Sequence, residues 1–131
     1  VFSGDDVLLL AVAAKENDYP AFYQPITGGI EVGECAEEAC RRELCEETGL
    51  QLEPSSLHAL PGLYEVVIIE QLTVCKTIFY VDTPSSDIRL NSSEHIGYIW
   101  CNSRRVDLLL YWQSNKDTWS RVIRYRLNGD R

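Results

Sequence analysis

With 131 residues, 45% of them hydrophobic and 24% charged, the chain has the size and composition of one globular domain that buries a core without staples. No apolar run approaches the ~18–20 residues that span a bilayer, and no signal or transit segment is recognisable, so a membrane is not an expected partner. A net charge of −8, from 20 acidic and 12 basic residues, excludes a broad basic surface for a nucleic acid polymer but admits a small phosphorylated ligand bridged by a divalent cation.

No repeat, low-complexity tract or linker interrupts the chain, so a single domain over 1–131 is expected. The chain starts at Val1 and holds no Met, which points to a trimmed chain with an incomplete first strand. Asp6 to Ala14 is a nearly continuous apolar run and fits a buried strand. Asn17 to Pro20 is a turn-rich loop. Phe22 to Thr27 reads as extended until Gly28-Gly29 breaks it, and Ile30 to Gly33 is short and irregular. Cys35 to Thr48 reads as a helix, with Glu37 and Glu38 in its first turn and Gly49 placed to end it. Strands are expected at Leu57 to Leu60, Gly62 to Ile69, Leu72 to Asp82 and Ile96 to Trp100, with a loop at Pro84 to Asp87. Ser103 is expected to cap a short helix through Tyr111. Ser114 and Asp117 look like a capping box for a last helix, with Trp119, Val122, Ile123 and Leu127 on one face. Mixed strands with about three helices favour an α/β sandwich. The five cysteines are odd in number and contain no CxxC pair, so free thiols in a reducing cytoplasm are expected rather than a disulfide framework or a zinc site.

The helix carries its charge on an unexpected side. On a wheel of ~100° per residue, Ala36, Ala39, Cys40 and Leu44 face the core. Glu43, Glu46 and Glu47 fall on the same side, while Glu37, Glu38, Arg41 and Thr48 lie opposite, toward water. A charge run usually marks a solvated face. Here the i, i+3, i+4 spacing makes three carboxylates converge beside apolar residues, where they repel and resist desolvation. Arg42, at the edge, offsets one of them. A hard divalent ion such as Mg2+ or Mn2+ is the natural partner for the rest.

Upstream, Gly28-Gly29-Ile30-Glu31-Val32-Gly33-Glu34 is a glycine-rich loop, and neither a Walker A nor a GxGxxG pattern follows it. Loop and helix together, GGIEVGECAEEACRRELCEETGL, resemble the signature of the Nudix hydrolase family, MutT-like proteins with an α/β/α sandwich and a mixed sheet. Gly28 is followed by five residues and Glu34, then by seven residues and Arg42-Glu43-Leu44, Glu46-Glu47 and Gly49-Leu50, so every fixed position is filled. The resemblance implies a Mg2+-dependent pyrophosphohydrolase, with Mn2+ as a possible substitute. It implies Glu46 and Glu47 as metal ligands, Glu43 as ligand or as the group that orients or deprotonates water, and Arg42 as the clamp on a glutamate. Glu34 would assist a metal or hold the loop, and Gly28 or Gly29 would shape the loop or offer a carbonyl. Glu94, just before the strand IGYIW, is the candidate for a further metal ligand or general base, with His95 structural or beside the substrate.

The expected substrate is a small phosphorylated molecule. FYQPITGGIEVGE, EHIGYIW and SNKDTWSRVI are similar to segments of dihydroneopterin triphosphate pyrophosphatases. The EH-x-x-Y-x-W pattern is shared with diadenosine tetraphosphate hydrolases, although Ile26-Thr27-Gly28 departs from their Pro-Lys-Gly. Pro61 leaves ADP-ribose hydrolases open. The leading expectation is cleavage of dihydroneopterin triphosphate or a (d)NTP to a monophosphate and pyrophosphate. The alternatives are a dinucleoside polyphosphate or ADP-ribose-type hydrolase and a non-catalytic nucleotide-sensing module. A homodimer is compatible with the family. Phe22, Tyr23, Tyr64, Tyr80 and Tyr98 are candidates for the wall of a base slot.

Overall fold

A computed structural model describes residues 1–69, 72–84 and 86–128. Ser85 of the expected loop 84–87 and the end of the expected domain at 129–131 lie outside the described residues.

The apolar run forms the central strand. β1 (Phe2–Ser3) turns back through Gly4 into β2 (Asp6–Val12). β2 is flanked along most of its length by antiparallel β8 (Gly97–Asn102). Its other edge is shared by β1 at its start and β3 (Phe22–Gln24) at its end. Both faces are covered. Val7 and Leu9 pack with Cys101 of β8, Val106 of α2 (Val106–Leu109), Leu110 just after it and Val122 of α3 (Gln113–Asn128). Leu8 and Leu10 point the other way and are equally buried. That is why the sequence of β2 runs apolar instead of alternating.

α1 (Ala36–Thr48) carries a second cluster, in which Leu44 meets Leu50 and Val81. Gly49 ends it in the left-handed region at φ 74°, and a Cβ there would press on Arg89. β4 (Leu57–Ala59) pairs with β7 (Phe79–Val81), and β5 (Tyr64–Ile69) pairs with β6 (Leu72–Lys76). Parallel bridges Phe2–Asp82 and Tyr23–Leu110 make the arrangement mixed, giving the α/β sandwich the sequence predicts. All five cysteines are free. Among the described residues no helix is long and apolar enough to cross a membrane.

Four local expectations are corrected. The run Leu72 to Asp82 is two strands, because its halves pair with different partners and break at Thr77-Ile78. Ser103 does not cap α2, whose first flanking residue is Arg105. Ser114 sits inside α3, and Asp117 accepts from the Gln113 side-chain amide and from the Tyr64 hydroxyl instead of closing a capping box. Thr48, on the watery side of the wheel, is buried. The segment after Ile88 folds over the end of α1, with Arg89 N–H donating to Thr48 O at 2.8 Å.

Candidate active site

Glu43, Glu46 and Glu47 of α1 separate into two groups, one around a guanidinium and one in the core. In the first, Arg42 grips Glu34 with both limbs of its fork, Nε to Oε2 at 2.7 Å and Nη2 to Oε1 at 3.0 Å. Nη2 also donates to Gly29 O at 2.8 Å, and Nη1 to Glu43 Oε1 at 3.0 Å and Glu46 Oε2 at 3.4 Å. Glu31 adds a looser ion pair at 3.7 Å. Glu31 N–H closes back onto Glu34 Oε1 at 2.9 Å. The glycine loop is thus stapled to the helix through Glu34, whose carboxyl Arg42 holds below the ordinary range. Gly29 O is turned toward Arg42, and Glu46 remains half-exposed.

Gly28 has a different task. A Cβ there would overlap the Glu43 side chain, whereas one at Gly29 would meet nothing. The close approach of backbone and carboxylate requires glycine at 28. Gly28→Ala is therefore expected to lower the unfolding free energy by ~1–3 kcal/mol, and Gly29→Ala to change it little. Urea titration of the two variants makes the comparison. Equal effects would remove the steric argument.

In the second group, Glu47 is 2% exposed and stands among Glu94 and His95, whose ligand atoms lie within 4.8 Å of one another. The loop that brings Glu94 and His95 is tied to the end of α1. Asn91 N–H donates to Glu47 O, and Asn91 O accepts from the N–H groups of Glu94 and His95. Glu47 Oε2 is 2.7 Å from His95 Nδ1, yet neither buried atom meets hydrogen-bond geometry with any described residue. The Gln24 side-chain nitrogen lies 3.2 Å from His95 Nε2. With Gln24 donating there, the ring proton sits on Nδ1, facing Glu47. Burial keeps His95 below its ordinary pKa, hence neutral at pH 7. Burial first, then the contact with Glu94 and the charges of Glu94, Glu43 and Glu46, push Glu47 up to about 7. A buried carboxylate with an unsatisfied oxygen, crowded by other carboxylates, is a donor set that a hard divalent cation fits.

This shift has a sign. The folded chain holds the Glu47 proton above the ordinary value of 4.5, so the stabilisation is complete below that pH and is lost as pH rises through about 7. Glu34, depressed by Arg42, works the other way at low pH. In EDTA, the wild type is expected to lose more thermal stability between pH 5 and pH 8 than Glu47→Gln, which keeps Glu34. Parallel melting curves for the two proteins would sink this assignment.

The sequence named Glu34, Arg42, Glu43, Glu46, Glu47 and Glu94, and the fold gathers all six into these two groups. It missed Gln24, Glu31 and Asn91, which act through contacts distant in sequence or through main chain. It also missed most of an aromatic cluster two residues before Gln24 on β3. Phe22 stacks on Tyr111 at 6.0 Å and meets Trp112 edge-on at 5.7 Å, and Tyr19 closes the group. Tyr111 and Trp112 keep about half their surface open. Of the other proposed wall residues, Tyr98 is half-exposed, Tyr23 packs against the core, Tyr80 is core and stacks on His58, and Tyr64 lines a separate cavity.

A family model described as the NUDIX domain matches residues 1–122. No curated protein matches the chain. Among solved structures, the E. coli dihydroneopterin triphosphate pyrophosphohydrolase is similar at 24% identity and a TM-score of 0.71, covering 91% of this chain and 87% of that one. A C. elegans Ap4A hydrolase is similar at 17% identity and a TM-score of 0.67, covering 93% and 87%. The NUDIX domain of Shewanella oneidensis NrtR, solved with ADP ribose, is similar at 13% identity and a TM-score of 0.73, covering 94% and 78%. Likenesses at these identities speak to the fold.

Proposed function

The chain belongs to the NUDIX domain family, and on that premise we propose that it is a Mg2+-dependent pyrophosphohydrolase of nucleoside-triphosphate-like molecules. Dihydroneopterin triphosphate or a (d)NTP is cut to a monophosphate and pyrophosphate. The observation that carries this reading is the burial of Glu47 against Glu94 and His95, with Glu43 and Glu46 close enough to raise its pKa. A protein gains nothing from concentrating such charge at a core edge unless a cation joins it.

Glu47, Glu46 and Glu43 would hold the metal. When bound, Mg2+ supplies charge neutralisation for the phosphates and acidifies the attacking water. Glu43 orients that water and Glu94 takes its proton. Arg42 is a positioning residue that keeps Glu43 aimed and, through Glu34, keeps the glycine loop closed. His95, itself held by Gln24, fixes the Glu47 carboxylate. Phe22, Tyr111 and Trp112 offer flat apolar surface for the base, near enough along β3 to Gln24 for one ligand to span base wall and carboxylates. The free thiols fit a reducing cytoplasm.

The test is a Mg2+-dependent hydrolysis screen over dihydroneopterin triphosphate, the (d)NTPs, diadenosine polyphosphates and ADP-ribose, with products identified by mass. A monophosphate plus pyrophosphate is expected. Preference for a dinucleotide or for ADP-ribose keeps the metal site and replaces the substrate. Tight binding without turnover of any of them makes the chain a sensing module.

A further inference from the structure

A cavity of about 410 Å3 opens between the Leu60–Leu63 turn, β6 and α3. It shares no residue with the carboxylate groups of α1. Three of the twelve Lys and Arg residues, Lys76, Arg121 and Arg124, line it, and no carboxylate does. In a chain of net charge −8 this is a local reversal of sign.

Arg121 and Arg124 are i,i+3 on α3, a spacing at which like charges repel. Arg121 lies over the Tyr64 ring, 3.9 Å from its centroid. Asp117, whose charge acts on Lys76, accepts from the Tyr64 hydroxyl at 3.2 Å and the Gln113 amide at 2.9 Å. Lys76 is half-buried, and burial pushes its pKa down despite Asp117, so an added anion would relieve it. Apart from the polar Asn128, the rest of the lining is apolar or aromatic, with Leu60, Leu63, Ile78 and the rings of Tyr64 and Tyr125 supplying most of it. The volume lies in the range of small-molecule pockets, and the site is open to solvent along Pro61, Leu63 and Arg124.

We infer that this cavity is a second ligand site, for a small phosphate monoester carrying a flat apolar body, of the mononucleotide class. Lys76, Arg121 and Arg124 take the phosphate through charge-assisted hydrogen bonds, and the tyrosines and aliphatic residues take the body. The inference does not depend on the hydrolase reading, because the site needs no metal and no turnover.

Isothermal titration of the full chain in EDTA with AMP as probe tests it, with inorganic phosphate and adenosine as partial probes. Saturable AMP binding is expected, weakened about tenfold or more in Arg124→Ala and in Lys76→Gln, and unchanged in Glu47→Gln. Arg124 is exposed on α3, so its replacement leaves the fold in place. Binding should also weaken between 0.1 and 0.5 M NaCl, as screening of the three cations requires. Three outcomes overturn the inference: no saturable AMP binding, AMP binding that Glu47→Gln abolishes and Arg124→Ala spares, or phosphate or adenosine alone binding as tightly as AMP.

Discussion

Glu47→Gln is expected to lower Mg2+-dependent turnover by about three orders of magnitude, ~4 kcal/mol of barrier, without unfolding the chain. The isostere keeps the shape of a side chain that is 2% exposed, so no cavity opens. Its carbonyl oxygen still stands beside His95 Nδ1, 2.7 Å from Glu47 Oε2 in the wild type. What disappears is a negative charge that burial and the neighbours Glu94, Glu43 and Glu46 already oppose. Two readouts should therefore diverge. Turnover falls, and so does the gain in melting temperature on adding Mg2+, since a ligand stabilises only as far as it binds. Metal-free stability at pH 8 rises or holds, because the strained charge has gone. A variant that retains turnover within tenfold of wild type would remove Glu47 from the reaction. One that loses turnover because it no longer folds would show the lost stability in EDTA as well.

Arg42→Lys carries the second largest effect, and it should fall on activity and stability together. Arg42 serves Glu34, Glu43, Glu46 and Gly29 O at once, from a side chain only 22% exposed. A lysine keeps the charge but not the fork, and one ammonium cannot face these partners from a single position. Unfolding free energy should drop by ~1–3 kcal/mol and turnover by ~100-fold, measured by urea titration and steady-state kinetics. Glu34→Gln removes one limb of the clamp and should cost less on both scales. If the lysine variant matches wild type in turnover, the clamp is a fold device alone.

How much of this was readable before the fold was known follows from how local each feature is. α1 was readable almost to the residue, because its acidic first turn, its apolar stripe and Gly49 all sit within one segment. The same holds for Arg42, whose partners other than the loop are its helical neighbours. Thr48 was misplaced because a wheel knows only its own helix, and the segment that buries Thr48 arrives some forty residues later. The break at Thr77-Ile78 was invisible because β-branched and aromatic residues continue across it; only the choice of partner, β5 or β4, divides the run. Gln24 carries no signal by itself, since its amide matters only once β3 lies beside the loop of His95. Tyr111 reads as the end of a helix and Trp112 as part of no element, and their meeting with Phe22 depends on the parallel bridge between Tyr23 and Leu110.

The loop that delivers Glu94 is attached in a way that bears on how such a protein could diversify. Arg89 and Asn91 bind the end of α1 with main-chain N–H groups, and Asn91 O gathers the amides of Glu94 and His95. Almost any residue other than proline supplies those groups. Between the anchors, the side chains can drift through many sequences while the Glu94 carboxylate stays where it is. A lineage can thus sample new loop surfaces, and with them new substrates, by single steps that each preserve the old chemistry.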